Sequence, residues 1–146
     1  ERISGVAEGE IGFGKAVMRG TDPEKQFKEF DGSSGASIEG FAGFGLSGDI
    51  DNLKYEDEDA MVVVDSGVMV VPVYASADTN PTAGDQVAIA PDGTVFTASE
   101  ADSDTGSSGD YAIKLANAEF VESAAAGDNV EIEIDFPMTT EEVQLA

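Results

Sequence analysis

The stretch MVVVDSGVMVVPVY, residues 61–74, decides the fold class. Two runs rich in valine flank Asp65, Ser66 and Gly67. Side chains branched at Cβ fit a pleated strand better than a helix, and a short Gly-containing turn between two such runs reads as a hairpin. The second run, 68–74, shows little alternation, as expected of a strand covered on both faces. Pro72 has no N–H for a ladder, so that strand has at least one edge-like position.

Strand signals continue outward from this point. QVAIA (86–90) leads through Pro91-Asp92-Gly93 into TVFT (94–97), which fits a type I turn with a Gly bulge. Val130, Ile132 and Ile134 alternate with Glu131, Glu133 and Asp135, the pattern of a half-buried antiparallel strand. Residues 111–115 and 119–122 complete the set. AGDQV (83–87) recurs as AGDNV (126–130), and YEDEDAM (55–61) stands in the same place before its own strand. Gly supplies turn geometry there, and Asp bonds nearby backbone. A repeated ligand site is the alternative, but two copies of five residues are no repeat architecture.

Helix is scarce. Residues 23–30 suit a helical turn or two. Thr139 to Glu142 have capping-box spacing, but only four residues follow, so 139–146 reads as a C-terminal tail. Residues 98–110 lack apolar periodicity and read as a mobile loop. The expectation is an all-β fold, a β-sandwich or barrel in one domain over 1–146. Its N-terminal third is irregular and Gly-rich, and it has very little helix.

GEIGFGKA (9–16) tests that reading, because its two glycines and lysine are in register with a phosphate-binding loop. Such a loop needs a buried strand before it and a helix after it. RISGVAE precedes it, and only Ala16 to Arg19 follow before Gly20 and Pro23. Ala16 also lacks the hydroxyl that would hold Mg²⁺. The segment therefore reads as a strand bent at Gly12 and Gly14.

The chain has 146 residues, 41 % of them hydrophobic, with neither Cys nor His. Disulfides, Cys nucleophiles and His-based acid–base chemistry are excluded. Seven cations against thirty acids give −23. Residues 1–54 hold six of the cations and ten acids, and the remainder holds Lys114 against twenty acids. That charge repels nucleic acid and anionic lipid, and a saline habitat accounts for it equally well. No apolar run approaches the roughly 18 residues of a membrane span. The start, ERISG, has neither initiator Met nor signal-peptide character, so it reads as the interior of a longer chain.

No motif supplies a cofactor or metal site. Asp102, Asp104 and Gly106 begin like a calcium loop, but Gly106 and Ile113 stand where it needs acidic ligands. Glu56 to Asp59 suits a solvated turn. Carboxylate pairs for glycoside hydrolysis exist among thirty acids, but there is no Trp and there are three Tyr. Phe41, Phe44 and Leu46 lie among four glycines; they either feed the core or order against a neighbouring subunit.

The order of these pieces resembles the capsid cement, or decoration, proteins of tailed bacteriophages. It runs from FGKAVMRGT (13–21) through the aromatic-Gly segment (41–46) and the Tyr-acidic turn into valines (55–64). Then come GVMVVPV (67–73), the AGD and Pro-Asp-Gly hairpin (83–96) and GDNVEIEI (127–134). The resemblance implies a non-enzymatic structural protein without cofactors, on the outer surface of the virion capsid and made in the host cytoplasm. It further implies homotrimers at three-fold and quasi-three-fold positions that clamp the major capsid protein lattice after expansion, with no nucleic-acid or membrane partner. The N-terminal arm common in such proteins reads as shortened or missing. The expected capsid or subunit contacts are Phe13, Lys15, Arg19, Lys25, Lys28, Phe41 and Phe44, in or near the less acidic 1–54 region. Two other readings remain: a secreted or surface-displayed acidic module (an adhesin or layer protein, calcium-dependent or not), and a carbohydrate-active or other hydrolytic domain.

Overall fold

The computed structural model describes residues 2–45, 48 and 51–146; Leu46 lies outside them. The first half of the chain forms a closed barrel. Its strands are β1 (Arg2–Ala7), β3 (Ala16–Arg19), β4 (Gln26–Glu29), β5 (Ile38–Ala42) and β7 (Ala60–Val64), in the order β1-β4-β3-β5-β7. The short ribbon of β2 (Ile11–Gly12) and β6 (Lys54–Tyr55) lies beside it. Val17, Phe27, Ala42, Met61 and Val63 fill the barrel, and Ile11 and Tyr55 pack onto that cluster. Closure leaves the five barrel strands themselves without a free sheet edge.

The second half builds a sheet in the order β10-β9-β11-β12-β8. Its strands are β8 (Ser66–Pro72), β9 (Gln86–Ile89), β10 (Val95–Thr97), β11 (Tyr111–Phe120) and β12 (Asn129–Asp135). β13 (Thr140–Gln144) pairs with the first half of β11, and β12 with its end. Val71, Ile89, Ile113, Leu115, Ile132 and Ile134 of this sheet pack on Ala16, Met18, Ile38 and Phe41 from the barrel's outer wall. The largest core is thus inter-sheet, as in a sandwich, while one of the two layers is itself a barrel.

Several expectations hold. β9 and β10 form the hairpin, with the Gly93 N–H donating to the Ala90 carbonyl at 2.9 Å. β12 alternates buried isoleucines with acids. GEIGFGKA is a bent strand segment, and β3 follows where a phosphate loop needs a helix. Gly14 turns the chain at φ +82, and a Cβ there would stand 2.9 Å from Pro72 Cδ.

Others are corrected. Residues 61–74 are not a hairpin. β7 pairs with β1 and β5, whereas β8 pairs with β12, so the chain passes through Asp65 from one sheet to the other. Met61 and Val63 serve the barrel, while Val71 and Val73 serve the inter-sheet core. Nor is β8 covered on both faces: Val68 and Val70 are 54 % and 56 % exposed. The Gly-rich N-terminal third supplies most of the barrel. Residues 26–29, expected in a helical turn, pair as β4 with β1 and β3. The C-terminal segment is no tail, since β13 buries Val143 against Ala98, Ala101 and Ala112.

Residues 98–110 open with helix α1 (Ala98–Ser103). Thr97 caps it by accepting the Glu100 N–H at 3.1 Å, so Thr-x-x-Glu was a readable start signal. The Glu100 carboxylate, only 7 % exposed with its residue, accepts the Asp78 and Thr79 amides at 2.9 and 3.0 Å. Glu100→Ala leaves both donors without that acceptor, and the expected loss is about 2 kcal/mol in urea unfolding. Glu100→Gln keeps one acceptor and should lose less. Lys114, the one cation of residues 55–146, ties α1 to β13 through Asp102 (3.0 Å) and Glu141 (3.1 Å). Those hydrogen bonds, Asp102's first, hold its ammonium above the ordinary lysine range.

Candidate functional site

Of the expected contact residues, Phe13 and Phe44 come together. Their rings meet edge to face at 5.0 Å, and Phe13 meets Tyr55 in the same way at 4.9 Å. Tyr55 anchors the group from below by donating its hydroxyl to the Gly43 carbonyl at 2.6 Å. Phe44 is 57 % exposed. Phe41 belongs elsewhere: it is fully buried in the inter-sheet core, 6.5 Å from the Phe136 ring, and has no surface to offer a partner.

The four cations do not form one patch. Lys15 binds the Asp92 carbonyl at 3.1 Å and pairs with Glu29 at 3.7 Å, tying the barrel to the β9–β10 turn. Arg19 pairs with Glu39 at 3.2 Å and lies 4.8 Å from the Phe27 ring centroid. Lys25 is the most exposed and pairs loosely with Asp22 at 3.9 Å. Arg19 stands opposite Phe27 and Lys28 opposite Met18 in the β3–β4 ladder, so the pleat sends them to opposite faces. Lys28 faces acids: it helps depress the carboxyls of Asp31 and Glu8, below the larger effects of hydrogen bonds from Ser33 and Thr21.

What gathers instead is apolar. A groove of about 620 Å³ runs between β8 and the barrel. Phe13, Phe44, Leu53, Val64, Val68 and Val70 line it. Leu53 is 60 % exposed and held at φ +56, a conformation seldom adopted by a non-glycine residue, while its carbonyl accepts the Phe13 N–H at 2.9 Å. Leu53, Val68 and Val70 were missed in sequence. The only signal was the valine run's lack of alternation, which also fits a strand covered on both faces.

Beside it, on the solvent face of the second sheet, lies a polar depression of about 640 Å³ lined by Gln86, Asn117, Glu119, Glu133 and Asp135. Three acids of the Asp102 loop and of the 56–59 turn are engaged within the chain. Asp102 holds Lys114, Asp57 accepts the Gly9 N–H, and Asp59 accepts the Glu56 N–H. Among the described residues no group of three His, Cys, Asp or Glu is placed to hold a metal ion. Among them too, no helix is long and apolar enough to cross a membrane.

Fold and surface together define a small all-β module, a barrel packed on a sheet with an apolar groove at their junction. Its sequence matches, over residues 1–135, the family of structural cement proteins described as E217 gp24/Pam3 gp6, and the chain belongs to that family. It is therefore a structural, capsid-stabilising protein of the phage virion that associates with the capsid lattice, and not an enzyme. A chain of the capsid of Myoviridae phage XM1 shares the fold. It superimposes with a TM-score of 0.69 at 21 % identity, over 93 % of this chain and 83 % of that one. No curated protein matches.

Proposed function

We propose that this chain sits on the outer surface of the assembled head, as trimers at three-fold and quasi-three-fold positions. There it clamps neighbouring shell subunits through the groove between β8 and the barrel. The carrying observation is that four large exposed apolar side chains, Phe44, Leu53, Val68 and Val70, line one groove on a chain of net charge −23. A soluble protein rarely leaves such a patch open unless something binds it. Phe13, Phe44 and Leu53 come from the less acidic residues 1–54, which favours that region as the contact side. A protein that binds only the expanded shell stabilises it by RT ln(1 + [L]/Kd) per site, and many such sites act together against internal pressure.

Shells stripped of cement protein provide the test. Wild-type protein should cosediment with them at a copy number in fixed ratio to the shell subunit and raise their melting temperature. Phe44→Asp should bind at least about tenfold more weakly, since an exposed aromatic of this kind contributes about 2 kcal/mol when buried. The variant's own unfolding midpoint should move little, because the side chain is at the surface. Unaltered binding by Phe44→Asp would remove the groove from the contact, and absence of the protein from purified particles would overturn the reading.

A further inference from the structure

We infer that the groove receives an extended segment of the shell protein, carrying Lys or Arg, as an added strand at Val68 and Val70 on the edge of β8 that faces away from β12. The inference rests on the shell-binding reading above and specifies its chemistry. β8 ends its sheet, paired on one side with β12. The Val73 N–H donates to the Asp128 carbonyl and the Phe136 N–H to the Asp65 carbonyl, which fixes the parity of that ladder. The odd residues Gly67, Met69 and Val71 bond across to β12, so Ser66, Val68, Val70 and Pro72 point their backbone groups away from it. This explains the proline in the strand: at Pro72 no ladder donor is lost. Gly14 stands beside the Val70 carbonyl, since a Cβ there would lie 3.2 Å from it. The Val68 N–H and C=O and the Val70 N–H therefore remain, with no partner among the described residues, directly beside an apolar groove. Backbone pairing there would supply affinity, and side-chain pockets would supply specificity.

Charge selects the occupant. In the β8–β12 register Glu133 stands opposite Val68, Glu131 opposite Val70 and Asp135 opposite Ser66. Glu122 joins them by accepting the Glu131 N–H at 3.2 Å. None of these four carboxylates is in an ion pair among the described residues. A second copy pairing edge to edge would bring two such rows together within a total charge of −46, twice the −23 of one chain. Like charges so placed disfavour that pairing, whereas Lys or Arg on the added segment would meet the acids.

The chain has no cysteine, so Val68→Cys installs a single thiol for a photoreactive benzophenone label, with Asn129→Cys on the groove rim as a second site. Labelled protein bound to stripped shells is irradiated, digested and mapped by mass spectrometry. The expected crosslink is to one segment of the shell protein that carries Lys or Arg. Val70→Pro removes an outward amide as Pro72 already does, and should weaken shell binding at least about tenfold while the unfolding midpoint stays near wild type. Val70→Ile keeps the amide and should bind like wild type. Wild-type binding should weaken as NaCl rises. A crosslink to another copy of this chain, or full binding by a folded Val70→Pro, would overturn the inference and leave shell binding standing. Failure of the wild type to bind shells would overturn both.

Discussion

Gly40→Ala is expected to lower the folding free energy by about 4 kcal/mol, read as a fall in the urea midpoint at unchanged slope. Gly40 lies in β5 at φ +152, and a Cβ built there would stand 2.4 Å from the Val64 carbonyl oxygen and 2.9 Å from Val63 Cγ1. The nearest atom is backbone of β7, the neighbouring barrel strand, so no side-chain rotation relieves the clash. The position also adjoins an irregularity in the ladder. Val17 pairs with Gly40 but Met18 with Ile38, which leaves Glu39 as the extra residue of a bulge. Strain in the dihedral and overpacking against the barrel each contribute about 1–3 kcal/mol. Domains of this size have about 5–15 kcal/mol in all, so the variant should be partly unfolded when warm. A loss below about 1 kcal/mol would mean that β5 and β7 can separate without cost, against the barrel's closure.

The second large effect separates two phenylalanines that look alike in sequence. Phe41→Ala should cost about 3–5 kcal/mol, the range for emptying an aromatic site in a packed core. The side chain is fully buried between the barrel wall and the second sheet. Its loss should act through folding alone, so that shell binding per folded molecule is unchanged. Phe44→Ala should do the reverse, leaving the unfolding midpoint near wild type and weakening shell binding. Unfolding curves and shell cosedimentation on both variants decide the matter. Loss of binding by folded Phe41→Ala at wild-type stability would return Phe41 to the contact surface.

The two residues show why the candidate site was only partly legible. FAGFG places two aromatics three apart among glycines, and nothing local says which is inward. Phe41 is inward because β5 forms the barrel wall facing the second sheet, while Phe44 comes after that strand has ended. The cations are spread out for a related reason. Lys15, Arg19, Lys25 and Lys28 are close in sequence, but the pleat and the β3–β4 turn distribute them over different faces, where three of them pair with local acids.

Whatever depends on neighbours along the chain could be read from the residues alone. The all-β class follows from β-branched runs, the β9–β10 turn from Pro91-Asp92-Gly93, and the two-faced β12 from its period-two alternation. Thr97-x-x-Glu100 was equally local, and α1 was within reach of the same reading. The absence of Cys and His excluded whole classes of chemistry before any fold was known. Which strands share a sheet depends instead on contacts made once the chain has folded. The parallel pairing of β1 with β4, the transfer of the chain from barrel to sheet at Asp65, and the capture of β13 by β11 all join residues far apart in sequence. Their energy comes from long-range burial and from backbone partners that local propensity does not name. The groove belongs to this second kind. A run of valines states that a strand forms, but whether its outer face and free edge are covered depends on what else the chain brings beside it, and here the chain leaves Val68 and Val70 open.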